Sequence, residues 1–385
     1  MNIFGLILKN ALRHRLRTML TIGGIAVAIL AFGLLRTVIA AWYAGVENAA
    51  PDRLVSRSKI SITFTLPVAQ KEKIARVPRV VGVTHGTWFG GIYKDPKNFF
   101  ANIALESAES FAFFPELLVE PEALKAFAAE RNAAIVGSAL VDRFKWKIGD
   151  VIRLNGTIYP GDWDFVIRGI YRGRDEGTDV GTFYFNWNTI EQRMEQESPG
   201  RTGQIGWWII KIDDPARAAT ISKAVDSEFD NSSDETLTET EAAFAQSFVA
   251  MSGTIITSLQ IISLLIVGVI LLVAANTMAM TARERISEYA VLKTLGFGPR
   301  HILGLIAGES LAIAALGGAL GLLLLVPVIR GVGTALRAWF PAFPVAPATL
   351  IMAAAAAVLV GVLAALFPSW RAVRVSIVDG LRRVD

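Results

Sequence analysis

The sequence predicts a membrane protein of four transmembrane α-helices with a large mixed α+β extracytoplasmic domain between the first and second spans. Three observations lead there. Of the 385 residues, 53% are hydrophobic and 19% charged, against about 45–50% and roughly 25% in soluble domains. The apolar residues gather into four blocks, each long enough to cross a bilayer. Residues 43–252, patterned as short strands and helices, separate the first block from the other three.

The first block runs from Met19 to Leu35, meets Arg36 and resumes to Trp42. Met19 to Leu35 alone spans about 25 Å as a helix, nearly a hydrocarbon core of roughly 30 Å, with Arg36 snorkelling at one rim. The rival reading is a cleaved signal peptide, with Lys9, Arg13, Arg15 and Arg17 as its basic region and Val38-Ile39-Ala40 as a loose cleavage site. The apolar stretch exceeds the usual signal core of about 7–15 residues, which favours an uncleaved anchor. The other blocks are Ile255 to Met280, Ile302 to Val328 and Ala348 to Phe367, placing spans at 19–42, 253–280, 302–328 and 348–367. Glu309 is their one acidic residue. By default an intramembrane acid is a functional residue; a protonated or interface-facing Glu near the membrane rim is the equal alternative. Gly317 and Gly321 supply a small-xxx-small spacing for close helix packing.

Orientation follows from the short flanking segments. The N-terminal arm, the 281–301 loop (Arg283, Arg285, Lys293, Arg300) and the 368–385 tail (Arg371, Arg374, Arg382, Arg383) each carry four Lys or Arg; the 329–347 loop has Arg330 and Arg337 only. Twelve against two puts both termini and the 281–301 loop in the cytoplasm, and residues 43–252 outside. That outer segment holds 23 Lys and Arg against 29 Asp and Glu, a net of −6 beside +4 for the whole chain. The basic charge therefore belongs to the membrane-flanking arms, where phospholipid rather than nucleic acid is the partner.

In the outer segment Val55–Phe64 and Val80–His85 read as strands around a helix at Pro67–Arg76. Trp207–Ile212 precedes a helix at Pro215–Phe229, so a split β-α-β module is expected. Glu122–Glu130 and Ala139–Phe144 read as helices flanking a short strand at Ala134–Val136. Val151–Leu154 and Asp164–Tyr171 read as an antiparallel ribbon. The aromatics are expected mainly as core. Thr87-Trp88-Phe89-Gly90-Gly91-Ile92-Tyr93 is the candidate exposed binding loop, its paired glycines freeing backbone beside large rings; a tight turn is the equal alternative. A helix from Thr238, with Phe244, Phe248 and Met251 at helical spacing, is expected to run unbroken into the second span as a rigid lever.

Several catalytic chemistries are excluded. There is no Cys, which removes disulfides, Cys-ligated zinc and thiol catalysis. His14, His85 and His301 are scattered, so no His-cluster metal site is expected. No G-x-x-x-x-G-K-[ST], G-x-S-x-G or H-E-x-x-H occurs.

Three segments resemble the type VII ABC transporter permeases, the MacB and FtsX-like class. Ala11-Leu12-Arg13-His14-Arg15-Leu16-Arg17-Thr18 is similar to the cytoplasmic amphipathic helix (1–18) that precedes the family's first span. Arg283-Glu284-Arg285-Ile286-Ser287-Glu288, running on to Leu292-Lys293-Thr294-Leu295-Gly296, resembles its ATPase-coupling segment, with Ala290, Val291, Leu292 and Leu295 as apolar knobs. Pro368-Ser369-Trp370-Arg371 and Val378-Asp379-Gly380-Leu381-Arg382 resemble its C-terminal signature, with Ser376-Ile377 in place of the usual Asp-Pro. Ala134–Gly137, Lys147–Val151 and Phe165–Ile170 are similar to the MacB-like periplasmic core domain. The resemblance implies a non-catalytic permease subunit in a bacterial inner membrane. No cofactor is expected on this chain; a separate ABC ATPase dimer would bind ATP and Mg. A second permease copy, a periplasmic adaptor and an outer-membrane channel are further implied partners, and export is the leading function. Lipoprotein or lipid extraction, regulation of a cell-wall hydrolase, and a membrane-anchored ligand sensor are the alternatives.

Overall fold

The computed structural model describes residues 15–175, 177–336, 343 and 345–374. Lys9 to His14, Arg337 and the signature at Val378–Arg382 lie outside the described residues. Two compact units form: one holds residues 15–40, 253–332 and 345–374, the other residues 41–175, 177–252, 333–336 and 343.

Helix α1 (Arg15–Glu47) has 33 residues and contains no proline, for a length of about 50 Å. It runs past both ends of the expected span. Within its unit Arg36 turns toward the Met352 sulfur at 3.4 Å.

The outer domain follows. Its strands are β1 (Arg53–Ser58), β2 (Leu66–Pro67), β3 (Val80–Trp88), β4 (Gly91–Ile92), β5 (Asn102–Leu105), β6 (Leu117–Leu118), β7 (Ala133–Gly137), β8 (Val151–Gly156), β9 (Gly161–Gly173), β10 (Phe183–Asn186), β11 (Gln204–Ile205), β12 (Trp207–Ile212) and β13 (Thr236–Thr240). Its helices are α2 (Lys71–Arg76), α3 (Pro121–Ala129), α4 (Ser138–Phe144), α5 (Asn188–Glu197), α6 (Ala218–Ser227) and α7 (Glu241–Met251). One sheet runs β13-β1-β12-β3-β5-β10-β7-β9-β8-β4. Its first four strands are antiparallel. With α2 between β1 and β3, and α6 between β12 and β13, they build the expected split β-α-β module. The strand expected over Val55–Phe64 ends at Ser58, and the helix expected from Pro67 opens with a 3₁₀ turn, Val68–Gln70, before α2.

The second half of the sheet curls. β4 begins two residues beyond β3 yet pairs with β8, at Gly91 with Gly156, so the run from β3 to β8 closes on itself through β4. This corrects the exposed-loop reading of Trp88–Tyr93. Phe89 is fully buried, with its ring against Tyr159, Trp163, Phe165 and Phe185. Gly90 turns the chain at φ +70°, a conformation that glycine adopts without steric cost. Tyr93 packs on Phe144 and Trp146. The tight-turn alternative is the one realised, with Gly90 turning the chain and Phe89 packed among four rings.

The remaining helices are α8 (Gly253–Glu284), α9 (Ile286–Thr294), α10 (Pro299–Leu336) and α11 (Pro347–Arg374). With α1, helices α8, α10 and α11 are long and apolar enough to cross a membrane. α10 continues through Pro327 to Leu336, past the expected end at Val328. The unbroken helix from Thr238 through the second span does not form. Thr236–Thr240 is strand β13, with Thr238 Oγ1 bonded to Ser56 and Asp226. Helix α7 starts at Glu241, capped by the Thr240 hydroxyl, which accepts from Ala243 N–H. It ends at Ser252 before α8 begins at Gly253.

Candidate functional site

The segment expected to couple to an ATPase is divided by the backbone. Arg283 and Glu284 are the last residues of α8, Arg285 is the joint at φ −107°, ψ 12°, and Ile286–Thr294 form α9. α9 closes on Gly296 at φ +88°, with Phe297 N–H donating to Leu292 C=O at 3.0 Å and Gly296 N–H to Lys293 C=O at 3.1 Å. This is a glycine C-cap of the Schellman kind.

The inner face of α9 is held by apolar contact. Tyr289 and Ala290 are buried, and Ala282, Tyr289, Ile302 and Ile306 form a cluster with Leu292 half-buried against it. Ala290 is therefore no docking knob. Burial pushes the Tyr289 hydroxyl up to about 12. The outward apolar positions are Val291, Leu295 and Phe297, 46%, 69% and 44% exposed. Phe297 was missed in the sequence because it follows the terminating glycine and joins no helical periodicity. Its ring lies against His301.

Arg285 is buried rather than presented to a partner. Its Nε donates to Glu288 at 2.8 Å and its Nη1 to Glu309 at 2.8 Å, and its guanidinium lies over the Tyr289 ring. Glu309 is 5% exposed. The one acid of the spans is thus the internal counter-ion of the coupling segment, which ties α9 to α10. Alongside, Arg17 on α1 donates through both Nη atoms to Glu284 at the end of α8, each at 2.8 Å. Such bidentate pairs fix geometry as well as charge.

Gly317 and Gly321 lie where α10 meets α1. A Cβ at Gly317 would fall 2.7 Å from Ile25 Cβ, and one at Gly321 would fall 2.7 Å from Ala26 C=O. The helices approach as closely as small residues allow.

Within the outer domain Arg53 forms a second ion-pair node. Its Nη2 donates to Glu116 at 2.7 Å and to Glu241 at 2.9 Å, its Nε to Glu241 at 2.8 Å, and its Nη1 to Phe113 C=O at 2.6 Å. Glu241 also accepts from Ala50 N–H at 2.8 Å. Arg53 therefore joins the start of β1, the 113–116 segment and the first turn of α7, with its charge state held by these partners despite burial. Nothing local in the sequence marks Glu241 as part of this node, since its partners lie 188 and more residues away in the chain. Of the histidines, His85 is fully buried between Trp187 and Trp208. Its two nitrogens have no hydrogen-bond partner among the described residues. Among those residues no cluster of His, Asp or Glu suits a metal.

Four spans, an outer domain between the first two and a short helix between the second and third define a multi-pass membrane permease. The chain belongs to the MacB/FtsX-like permease family of ABC transporters: the MacB-like periplasmic core domain matches residues 18–228, and the FtsX-like permease C-terminal domain matches residues 260–377. Permeases of this family work with ABC ATPase partners. The chain is 26% identical to an uncharacterised ABC transporter permease of Methanocaldococcus jannaschii, over 97% of this chain and 96% of that one. It is 32% identical to the macrolide export ATP-binding/permease protein MacB of Nitrobacter winogradskyi, over 34% of this chain and 20% of that protein. The extracellular domain of the noncanonic ABC-type transporter YknZ from Gram-positive bacteria aligns with 49% of this chain and 99% of its own length, at 11% identity and a TM-score of 0.35. A domain of a putative permease from Porphyromonas gingivalis aligns with 50% of this chain and 91% of its own, at 11% identity and a TM-score of 0.34.

Proposed function

We propose that α9 receives the stroke of a separate ATPase and passes it through the spans to the outer domain, which drives export of an extracytoplasmic substrate through an adaptor and an outer-membrane channel. The observation that carries this reading is the Arg285–Glu309 pair, which fastens α9 to the third span while Val291, Leu295 and Phe297 stay exposed for a partner. ATP and Mg belong to the partner in this reading. In this reading the termini and α9 face the cytoplasm, which the twelve-to-two charge asymmetry supports. Two copies form the complex. Helix α8, the least buried of the four apolar helices, offers the face for the second copy.

Copurification in mild detergent with mass spectrometry tests the motor, and a P-loop ATPase in near-equal amount is expected. Val291→Asp with Leu295→Asp and Phe297→Asp is expected to release that ATPase while the chain still inserts. Retention of the ATPase by this variant would remove α9 as the docking element. An adaptor in the same complex supports export; its absence beside a retained ATPase would leave the transporter standing and overturn the export route.

A further inference from the structure

One end of the outer domain differs in charge from the rest. The segment after β4 (residues 93–99) is pinned to the end of α4: Arg143 donates to Phe99 C=O at 3.0 Å and to Lys97 C=O at 3.3 Å, and Trp146 Nε1 donates to the Tyr93 hydroxyl at 3.3 Å. These contacts bring Lys94 and Lys97 beside Lys145 and Lys147. All four are exposed, and none has an ion-pair partner among the described residues. Elsewhere on the domain exposed cations are commonly paired, as Lys59 is with Glu235, Arg153 with Asp164 and Lys125 with Glu122.

The acids of this end do not neutralise the lysines. Asp95 accepts from Lys97 N–H and Asp150 from Lys147 N–H, each at 2.8 Å, so both carboxylates are engaged by their own turns. With Arg143 there are five cations against Asp95, Asp142 and Asp150, a local net of +2 on a domain whose net is −6. Two apolar side chains stand among the lysines: Phe99, 49% exposed, and Ile148, 62% exposed. Phe99 stacks on Trp88 with ring centroids 6.4 Å apart, which fixes the ring. A fixed aromatic within a ring of charge is the anatomy of a protein interface.

We propose that the surface formed by Lys94, Lys97, Phe99, Lys145, Lys147 and Ile148 docks an acidic segment of a protein partner on the same side of the membrane as the outer domain. Charge complementarity selects the partner. A short acidic segment meets only the lysines, whereas an extended anionic bilayer also meets the negative remainder of the domain. Acidic residues interspersed with one or two apolar ones would match both the lysines and the Phe99–Ile148 pair. This inference does not depend on the export reading.

The test uses the full chain in phosphatidylcholine nanodiscs and, as probe, a fluorescein-labelled peptide of alternating Glu pairs and Leu, read by anisotropy. The wild type is expected to bind at least tenfold more tightly than the Lys94→Glu, Lys97→Glu, Lys145→Glu, Lys147→Glu variant, and the difference is expected to shrink at high salt. The corresponding Lys→Gln variant, which avoids charge reversal, is expected to fall between them. Phe99→Ser with Ile148→Ser is expected to weaken binding several-fold with the salt dependence kept. A control variant, Lys125→Glu with Arg168→Glu, is expected to bind as the wild type does. Equal binding by the wild type and the four-lysine variants would overturn the proposal. So would salt-sensitive binding to phosphatidylglycerol vesicles without binding to the peptide.

Discussion

Removing Glu309 from beneath Arg285 tests how α9 is attached to α10. Arg285 and Glu309 are 9% and 5% exposed, with Nη1 and Oε2 2.8 Å apart. Breaking a buried pair by deleting one partner costs about 3–5 kcal/mol, while replacing both by apolar groups of similar size is often neutral. The two single changes are not equivalent here. Glu309→Leu leaves Arg285 with Glu288, whose side chain is 40% exposed and already bonded at 2.8 Å, so the loss is expected at about 3 kcal/mol or below. Arg285→Met takes from the buried Glu309 the guanidinium that donates to it and is expected at the upper end, about 5 kcal/mol. The double variant is expected to recover most of either loss, giving a coupling energy on the order of 3 kcal/mol. Detergent-titrated unfolding measures these values, and ATP turnover of the complex in vesicles measures transmission. Recovered stability with turnover still detached from transport would identify the pair as a working link. Single variants costing under about 1 kcal/mol would refute the reasoning, because that is the range of a solvated pair.

Three further outcomes are expected. Gly317→Leu forces a side chain into Ile25 and is expected to destabilise the span unit by about 1–3 kcal/mol, read in the same titration; an unchanged midpoint would mean the helices separate freely. His85 is held down to about 3, first by burial and then by the charge of Lys71, so as pH falls below its ordinary value near 6.5 the unfolded chain takes the proton first. Stability is then present above pH 6.5 and lost toward pH 3, about 2 kcal/mol of it between pH 7 and pH 5; His85→Leu is expected to flatten that slope in denaturant unfolding followed by tryptophan fluorescence. Arg53→Met leaves Glu116 and Glu241 unpaired and is expected to cost about 3 kcal/mol, with hydrogen exchange rising first at β1 and the start of α7.

The spans were legible in the sequence because a bilayer imposes length and apolarity on contiguous residues. So was the split β-α-β module, whose strands and helices alternate along the chain. The closure of β3 through β4 onto β8 was not, since the pairing of Gly91 with Gly156 is a long-range contact. The rings of Trp88, Phe89 and Tyr93 look alike in sequence whichever way they point. The segment around α9 was singled out by its resemblance to the family's coupling segment, but the order of its charges does not tell which of them face inward. Arg285 turns to an acid 24 residues on, while its neighbour Glu284 takes Arg17 from the other end of the chain. Thr236–Thr240 misled for a related reason: β-branched residues suit a strand when an edge such as β1 is available, and nothing local shows that it is.

The interruption at Ser252 bears on how movement would travel in the proposed function. A lever built on the second span would have to transmit across a residue at φ −91°, ψ 7° where one helix ends and the next begins. Helix α1 has no such break between Arg15 and Glu47. At its start Arg17 grips Glu284, adjoining the Arg285 joint. One to three turns further on it presents Ile22, Ile25, Ala26 and Ile29 to Gly317 and Gly321 of α10, the helix that Glu309 ties to α9. Packed helices shift as bodies rather than deform, so in the proposed function a displacement of α9 would reach α1 by two routes, both within the span unit. In that reading the first span, continuous from Arg15 to Glu47, would be the conduit. Inserting two glycines between Ala40 and Ala41 should detach ATP turnover from transport more completely than the same insertion at Ser252; an equal or greater loss at Ser252 would return that role to the second span.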